Sequence, residues 1–160
     1  MTVPGWSAII ATPLPDGWRF GIRCDGAAVY ETEFLPAATP LQAPDSECAR
    51  RAVADVQRYF AAGQSVPAIA LAPHGTPFQQ RVWQALRAIP PGQPYSYGEL
   101  AHRLGSSPRA VAGACRANPI PLLIPCHRVV AAHGPGGFMG ATKGEPLRLK
   151  NWLLEHEAAD

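Results

Sequence analysis

The chain has 160 residues, 47% of them apolar and 16% charged, with a formal net charge of +2. This suits one compact unit, or two small lobes, with a real core. It excludes a membrane-spanning helix, since no uninterrupted apolar run reaches the required length of about 18 residues. The 18 prolines and 15 glycines are spread along the chain, so no segment reads as a disordered tail.

Residues 1–10 carry neither a basic leader nor an apolar cleavage segment, so they read as mature cytoplasmic sequence. Trp6 to Ala11 and Trp18 to Cys24 are β-rich runs separated by the turn Pro15-Asp16-Gly17. Asp25-Gly26 predicts a tight hairpin into a third strand, Ala27 to Phe34, which includes Val29 and Tyr30. A Pro-rich link, 36–44, follows. Asp45 is the expected N-cap of a helix running to about Ala62 and ended by Gly63. Ala49, Ala52, Val53, Val56, Tyr59 and Phe60 make its apolar stripe. Pro67 to Ala72 can add a last strand. The lobe reads as a small sheet covered by one helix, closing near Pro73-His74-Gly75.

Helix signals sharpen beyond that point. Thr76-Pro77 gives a cap and a proline at the first helical position, with Gln79 completing a capping box. Phe78, Val82, Ala85, Leu86 and Ile89 form the buried stripe, and Pro90-Pro91-Gly92 stops the helix. Ser96 and Glu99 form a second capping box, opening a short helix that ends at Gly105. Ser107-Pro108 opens a third helix, about 108–117, and Asn118-Pro119 terminates it. Two short helices joined by a tight turn predict a helix-turn-helix. The third helix is slim: Ala110, Val111, Ala112, Gly113, Ala114, Cys115 and Ala117 are all small or modest. Close packing against another helix explains that pattern, and so does entry into a narrow DNA groove with Arg109 and Arg116 facing the duplex. Residues 1–75 hold five arginines against seven acids, whereas 76–157 hold nine bases against four acids. A basic second half permits nucleic-acid binding, and a solvated charged face explains it equally well.

The four cysteines, Cys24, Cys48, Cys115 and Cys126, include no CxxC pair, so they are expected as free thiols in a reducing compartment. Leu122, Leu123 and Ile124, set between prolines, read as a short buried strand leading into Cys126 and His127. A buried cysteine is usually an inert small hydrophobe. The adjacent histidine favours a nucleophile, because the thiolate is the reactive form and a nearby base or cation stabilises it. Neighbouring side chains of a strand point apart, so contact between Cys126 and His127 requires a turn or an intervening water.

The run IPCHRVV (124–130), preceded by NPIPLL, closely resembles the active-site signature of O6-alkylguanine-DNA alkyltransferases, the methylated-DNA–protein-cysteine methyltransferases. The resemblance extends over FQQRVWQALRAIPPGQPYSYGELAHRLG, RAVAGACRANP and WLLEHE, about residues 76–157. The first lobe matches in size and layout only. The resemblance implies an α/β N-terminal structural domain (1–75) with an RNase H-like sheet and helix. A mostly helical, winged helix-turn-helix domain (76–160) would bind DNA and carry the alkyl acceptor.

The resemblance also assigns roles. Cys126 matches the acceptor, His127 the histidine that relays its proton through water, and Glu157 the carboxylate that orients the histidine. Asn118 matches the brace of the active-site turn. Tyr97 matches the tyrosine that helps rotate the nucleotide out and protonates guanine N3. Arg109 matches the finger that replaces the flipped base, on a recognition helix whose Ala110, Ala112, Gly113 and Arg116 would line the DNA. Val129 lies where the family contacts the guanine edge, and Phe138 and Met139 fall in the substrate pocket. The implied reaction flips O6-alkylguanine, and O4-alkylthymine, out of double-stranded DNA and moves the alkyl group irreversibly to Cys126. A stoichiometric monomer is expected in the cytoplasm, nucleoid-associated if bacterial, with no cofactor, metal or membrane partner.

Cys24, Cys48 and His74 lack zinc-ligand spacing, so no zinc is expected. His74, His102 and His133 read as surface or turn residues, and Cys115 as a packing residue. Two segments depart from the family pattern: the short turn Ser106-Ser107-Pro108 before Arg109, and the glycine-rich stretch Gly136 to Pro146, expected to form a lip of the alkyl pocket. Two other functions compete: a lesion-binding module that flips the base without chemistry, whose relatives replace the acceptor cysteine, and a cysteine hydrolase using Cys126, His127 and Glu157.

Overall fold

Antiparallel strands β1 (Ala8–Ile10), β2 (Arg19–Asp25) and β3 (Ala28–Leu35) build the first part of the chain. A two-residue β4 (Ala70–Leu71) adds parallel to β3, giving the order β1-β2-β3-β4. The structure is a computed structural model describing residues 5–131, 134, 136–139 and 143–158. It divides into two units, Met1–His74 and Gly75–Asp160. Among the described residues no helix is long and apolar enough to cross a membrane.

In the first unit Phe20 and Ile22 alternate inward from β2 and are fully buried. Gly21, between them, faces the other way. A side chain there would meet the Trp6 ring at 2.7 Å and Leu35 at 2.8 Å, so glycine is what lets Trp6 lie across the sheet with Ile9 and Leu35. The register slips between Arg23 and Cys24, a bulge that precedes the Asp25-Gly26 hairpin.

Helix α1 (Glu47–Ala61) begins one residue later than expected, because the cap is Ser46 rather than Asp45. The Ala49 N–H donates to Ser46 Oγ at 3.1 Å. The Asp45 backbone N–H donates to the Ser7 carbonyl at 3.0 Å, tying the helix start to the residue before β1. Ala49, Ala52, Val53, Val56 and Tyr59 are buried, while Phe60 is half-exposed and packs edge-on against Tyr59. Buried Asp55 accepts from the N–H groups of Ala68 and Ile69 and pairs with Arg58, fixing the chain on its way into β4.

In the second unit α2 (Pro77–Arg87) opens with a complete Thr76–Gln79 capping box, and α3 (Tyr97–Leu104) with a Ser96–Glu99 box. Gly105 closes α3 in the left-handed conformation, at φ 63°. Helix α4 (Pro108–Arg116) starts from Ser107, whose Oγ accepts from the Ala110 N–H. Trp83 is buried on α2 and donates from its indole N–H to the Ala114 carbonyl of α4 at 2.9 Å, which locks these two helices together. Two residues, Tyr95-Ser96 (β5), pair in parallel with Val129-Val130 (β6). The last helix, α5, spans Glu145–Ala158.

Leu122, Leu123 and Ile124 are buried but do not form the expected strand. They make a tight turn with Leu122 at φ 76°, closed by the Ile124 N–H donating to the Ile120 carbonyl at 2.8 Å. Prolines at 119, 121 and 125 remove the donors that a strand ladder requires.

Candidate active site

The turn that replaces the strand is held by one side chain. Asn118 Nδ2 donates to the Ile124 carbonyl, and Asn118 Oδ1 accepts from the Ile120 N–H, both at 2.9 Å. The chain then enters a single 3-10 turn, Cys126–Arg128, and continues into β6. Because that turn is not extended, Cys126, His127 and Arg128 all point into the interior, and all three are buried. The β5–β6 pairing joins the backbone just before Tyr97 to the backbone just after Cys126.

His127 Nε2 lies 2.5 Å from Glu157 Oε2 on α5. Glu157 is fully buried, yet its carboxyl lies far below the ordinary range, at about 2: burial raises it, but His127 and Arg128 together outweigh burial. It is therefore an acceptor at neutral pH, and the proton of the pair sits on Nε2. Burial in turn pushes the His127 pKa down, against the pull of Glu157, so the imidazole is neutral. Its other nitrogen, Nδ1, keeps a lone pair and has no hydrogen-bond partner among the described residues. A buried neutral imidazole fixed at one nitrogen and open at the other is a base in waiting.

Sequence reasoning passed over two charged side chains that complete the array. Arg128 donates through Nε to Glu157 Oε1 at 2.8 Å, through a terminal nitrogen to Oε2 at 3.3 Å, and through the other to the Ile89 carbonyl at 2.8 Å. It ties the Cys126–Arg128 turn, α5 and the residues after α2 together. Lys150 is fully buried on α5 and donates to the carbonyls of Val129 (2.8 Å) and Gly137 (3.0 Å). Burial lowers it to about 8, with the Cys126 and Cys115 thiols pulling the other way. The signal for both was present. Arg128 stands inside an apolar run, and Lys150 shares a helical face with Leu153 and Glu157.

Burial also raises the Cys126 thiol, against a hydrogen bond from Asn118, the charge of Lys150 and a backbone contact, all of which favour the thiolate. Tyr97, half-buried, is pushed up to about 12 by burial and then by Cys115 and Cys126, so its phenol stays protonated and able to donate. Val129 and Phe138 are buried, and Met139 is exposed with φ 53°. Of the expected lip, Gly136, Gly137, Phe138 and Met139 are described, with residues 143–146; residues 140–142 lie outside the described residues. His74 and His102 are exposed, and His133 lies outside the described residues.

Helix α4 presents Arg109, Ala112, Gly113 and Arg116 outward, with Ala110 half-exposed and Val111 and Ala114 buried. A side chain at Gly113 would meet nothing within 4 Å. Helix packing therefore explains Ala114 but not Ala112 or Gly113, whose bareness serves nothing inside the described unit. Burial removes Arg128 and Lys150 from the surface, and Glu157 with them, so the exposed balance of this half stays positive.

Residues 77–159 match the family model described as "6-O-methylguanine DNA methyltransferase, DNA binding domain". The chain is 38% identical over 142 residues to a methylated-DNA–protein-cysteine methyltransferase of Methanosarcina acetivorans, covering 84% of this chain and 88% of the relative. It is 48% identical over 103 residues to the protein of that name from Salmonella typhimurium, covering 62% of this chain and 57% of the relative's length. Among solved structures it resembles Mycobacterium tuberculosis OGT in complex with DNA, with a TM-score of 0.77, 34% identity, and coverage of 94% of this chain and 91% of that one.

Proposed function

Because the chain belongs to the 6-O-methylguanine DNA methyltransferase family, we propose that it repairs O6-alkylguanine in double-stranded DNA by moving the alkyl group onto its own Cys126. The observation that carries this reading is the buried array of Cys126, His127, Glu157 and Arg128, in which one imidazole nitrogen is fixed and the other is open. The Cys126 proton passes to His127 Nδ1, directly or through one water, and Glu157 steadies the resulting imidazolium. Sulfur forms a bond to the alkyl carbon as the bond from that carbon to O6 breaks. The electron pair goes to the guanine, where a protonated Tyr97 phenol neutralises it. The product is a thioether, which nothing in the array can hydrolyse, so each molecule acts once. O4-alkylthymine fits the same chemistry.

The two units divide the work in this proposal: 1–75 is structural, and 76–160 binds DNA and accepts the alkyl group. The intact thiol argues against a lesion binder without chemistry. The outcome that supports this reading is a stable gain of one methyl on the intact protein, mapped to Cys126, after incubation with O6-methylguanine duplex. Product should level off at one equivalent. Sustained turnover would point to a hydrolase, and binding with no mass change to a lesion-binding module.

We further read α3, its turn and α4 as a helix-turn-helix whose bare outer face, Ala110, Ala112 and Gly113 between Arg109 and Arg116, lies in the minor groove. Arg109, exposed on the first turn of α4, enters the stack in place of the flipped base. Arg109→Ala is expected to slow repair of duplex DNA at least tenfold and to leave repair of free O6-benzylguanine nearly unchanged, because the free base needs no flipping. Equal losses on both substrates count against an intercalating finger. Affinity should also fall steeply with salt, as phosphate contacts require.

A further inference from the structure

Cys24 and Cys48 belong to the first unit, and both are free. Cys24 follows the bulge near the end of β2, and Cys48 sits in the first turn of α1. Ser7 brings these two places together. Its hydroxyl oxygen accepts from the Cys24 N–H, and its carbonyl accepts from the Asp45 N–H, each at 3.0 Å. Cys48 is close enough to Cys24 to act on its thiol, raising it next after burial. Cys48 is buried, whereas Cys24 is half-buried and so is the one that solvent reaches.

We propose that Cys24 and Cys48 form a modification site, a dithiol that closes reversibly to a disulfide and fastens β2 to the first turn of α1. The oxidant required is a low-molecular-weight disulfide. Cys24, the outer thiol, loses its proton to solvent and attacks one sulfur of the reagent. The reagent's S–S bond breaks, and one small thiolate leaves with the electron pair and takes up a proton. Cys48 then loses its proton and attacks the Cys24 sulfur of the mixed disulfide, and the second small thiol departs. Two protein thiols are oxidised by two electrons, and one small disulfide is reduced to two thiols.

Proximity of the two thiols favours the second step, because the attacking sulfur has little distance to cover. The first step is slow: burial, then contact with Cys48 and the negative charges of Cys48 and Asp45, push Cys24 up to about 12. Once closed, the bridge spans the hairpin and the proline-rich link, and it restricts the unfolded chain over that whole loop.

The test uses the full chain equilibrated with oxidised glutathione, blocked with a thiol-alkylating reagent and digested without reduction. A peptide joining Cys24 to Cys48 should dominate the oxidised protein and disappear with dithiothreitol. The thermal midpoint of the bridged protein should rise by roughly 5 °C or more. Cys24→Ser should abolish both the linked peptide and the shift. So should Cys48→Ala, chosen because serine at a buried site adds an unsatisfied hydroxyl. Each variant should retain wild-type methyl transfer under reducing conditions, which shows that it is folded. The proposal is overturned if Cys24 and Cys48 are both recovered alkylated, or each capped separately by glutathione. A bridge forming instead between Cys115 and Cys126, or an unmoved midpoint in the linked protein, overturns it as well.

Discussion

Replacing Cys126 by alanine should abolish alkyl transfer while leaving affinity for lesion-bearing duplex within a few-fold of wild type. The thiol is the only group of the array that can form a carbon–sulfur bond where His127 can take the proton. Cys115 is the one other thiol within electrostatic reach of the site, and it does not substitute. It sits on α4 and is held up to about 12, by burial first and then by Cys126, so its thiolate is scarce at neutral pH. Alanine fits the space left by cysteine and disturbs neither the Asn118 brace nor the salt bridge of Arg128 with Glu157. Binding by α4 should therefore survive. Single-turnover assays with labelled O6-methylguanine duplex, beside a gel-shift titration, measure both quantities. Transfer by the alanine variant at more than a trace of the wild-type rate would show that another residue is the acceptor.

Glu157→Gln should slow transfer by on the order of 10²–10⁴-fold at neutral pH, the usual worth of general-base assistance. The amide cannot stabilise a protonated His127, and it presents an N–H₂ toward an arginine that has lost its counter-charge. Removing one partner of a buried ion pair typically costs about 3–5 kcal/mol, so rates must be compared at a temperature where the variant is folded. A pH profile separates the relay from mere loss of structure. Burial holds the Cys126 thiol above its ordinary range, so at neutral pH the reaction leans on His127. As the pH rises, more thiolate forms without help, and the gap between variant and wild type should narrow. A constant gap at all pH values, or an unchanged rate, would leave Glu157 as a structural acid only. The same carboxylate also sets acid sensitivity. Its pKa is lowered in the folded state, so its contribution to stability is full above about 4.5 and is lost as the pH falls toward 2.

Much of the second unit was legible because its helix starts are written in local chemistry. Thr76-Pro77 with Gln79, Ser96 with Glu99, and Ser107-Pro108 each form the cap that their residue types require. Asp45 loses the cap to its neighbour Ser46, whose hydroxyl takes the Ala49 N–H; both residue types cap well, and the local sequence does not choose between them. Leu122 to Ile124 read as a strand because burial and β-propensity look alike in a short apolar run, and the Asn118 side-chain bonds that close the turn are tertiary. Cys126 and His127 were recognisable from their signature. Arg128 and Lys150 were read only as part of a basic half, since a count of charges does not say which are buried.

The partners of His127 and Arg128 come from distant parts of the chain: Glu157 lies 30 residues beyond His127, and Ile89, which anchors Arg128, lies 39 residues before it. Asn118 favours the thiolate from within the same turn, but His127 meets its carboxylate only across that distance. In a chain whose last helix has not docked, His127 lacks Glu157 and Cys126 lacks the charge of Lys150. Docking of α5 supplies both groups, one from each half of the helix. If the relay is as proposed, the rate at Cys126 should report how much of the time α5 is seated.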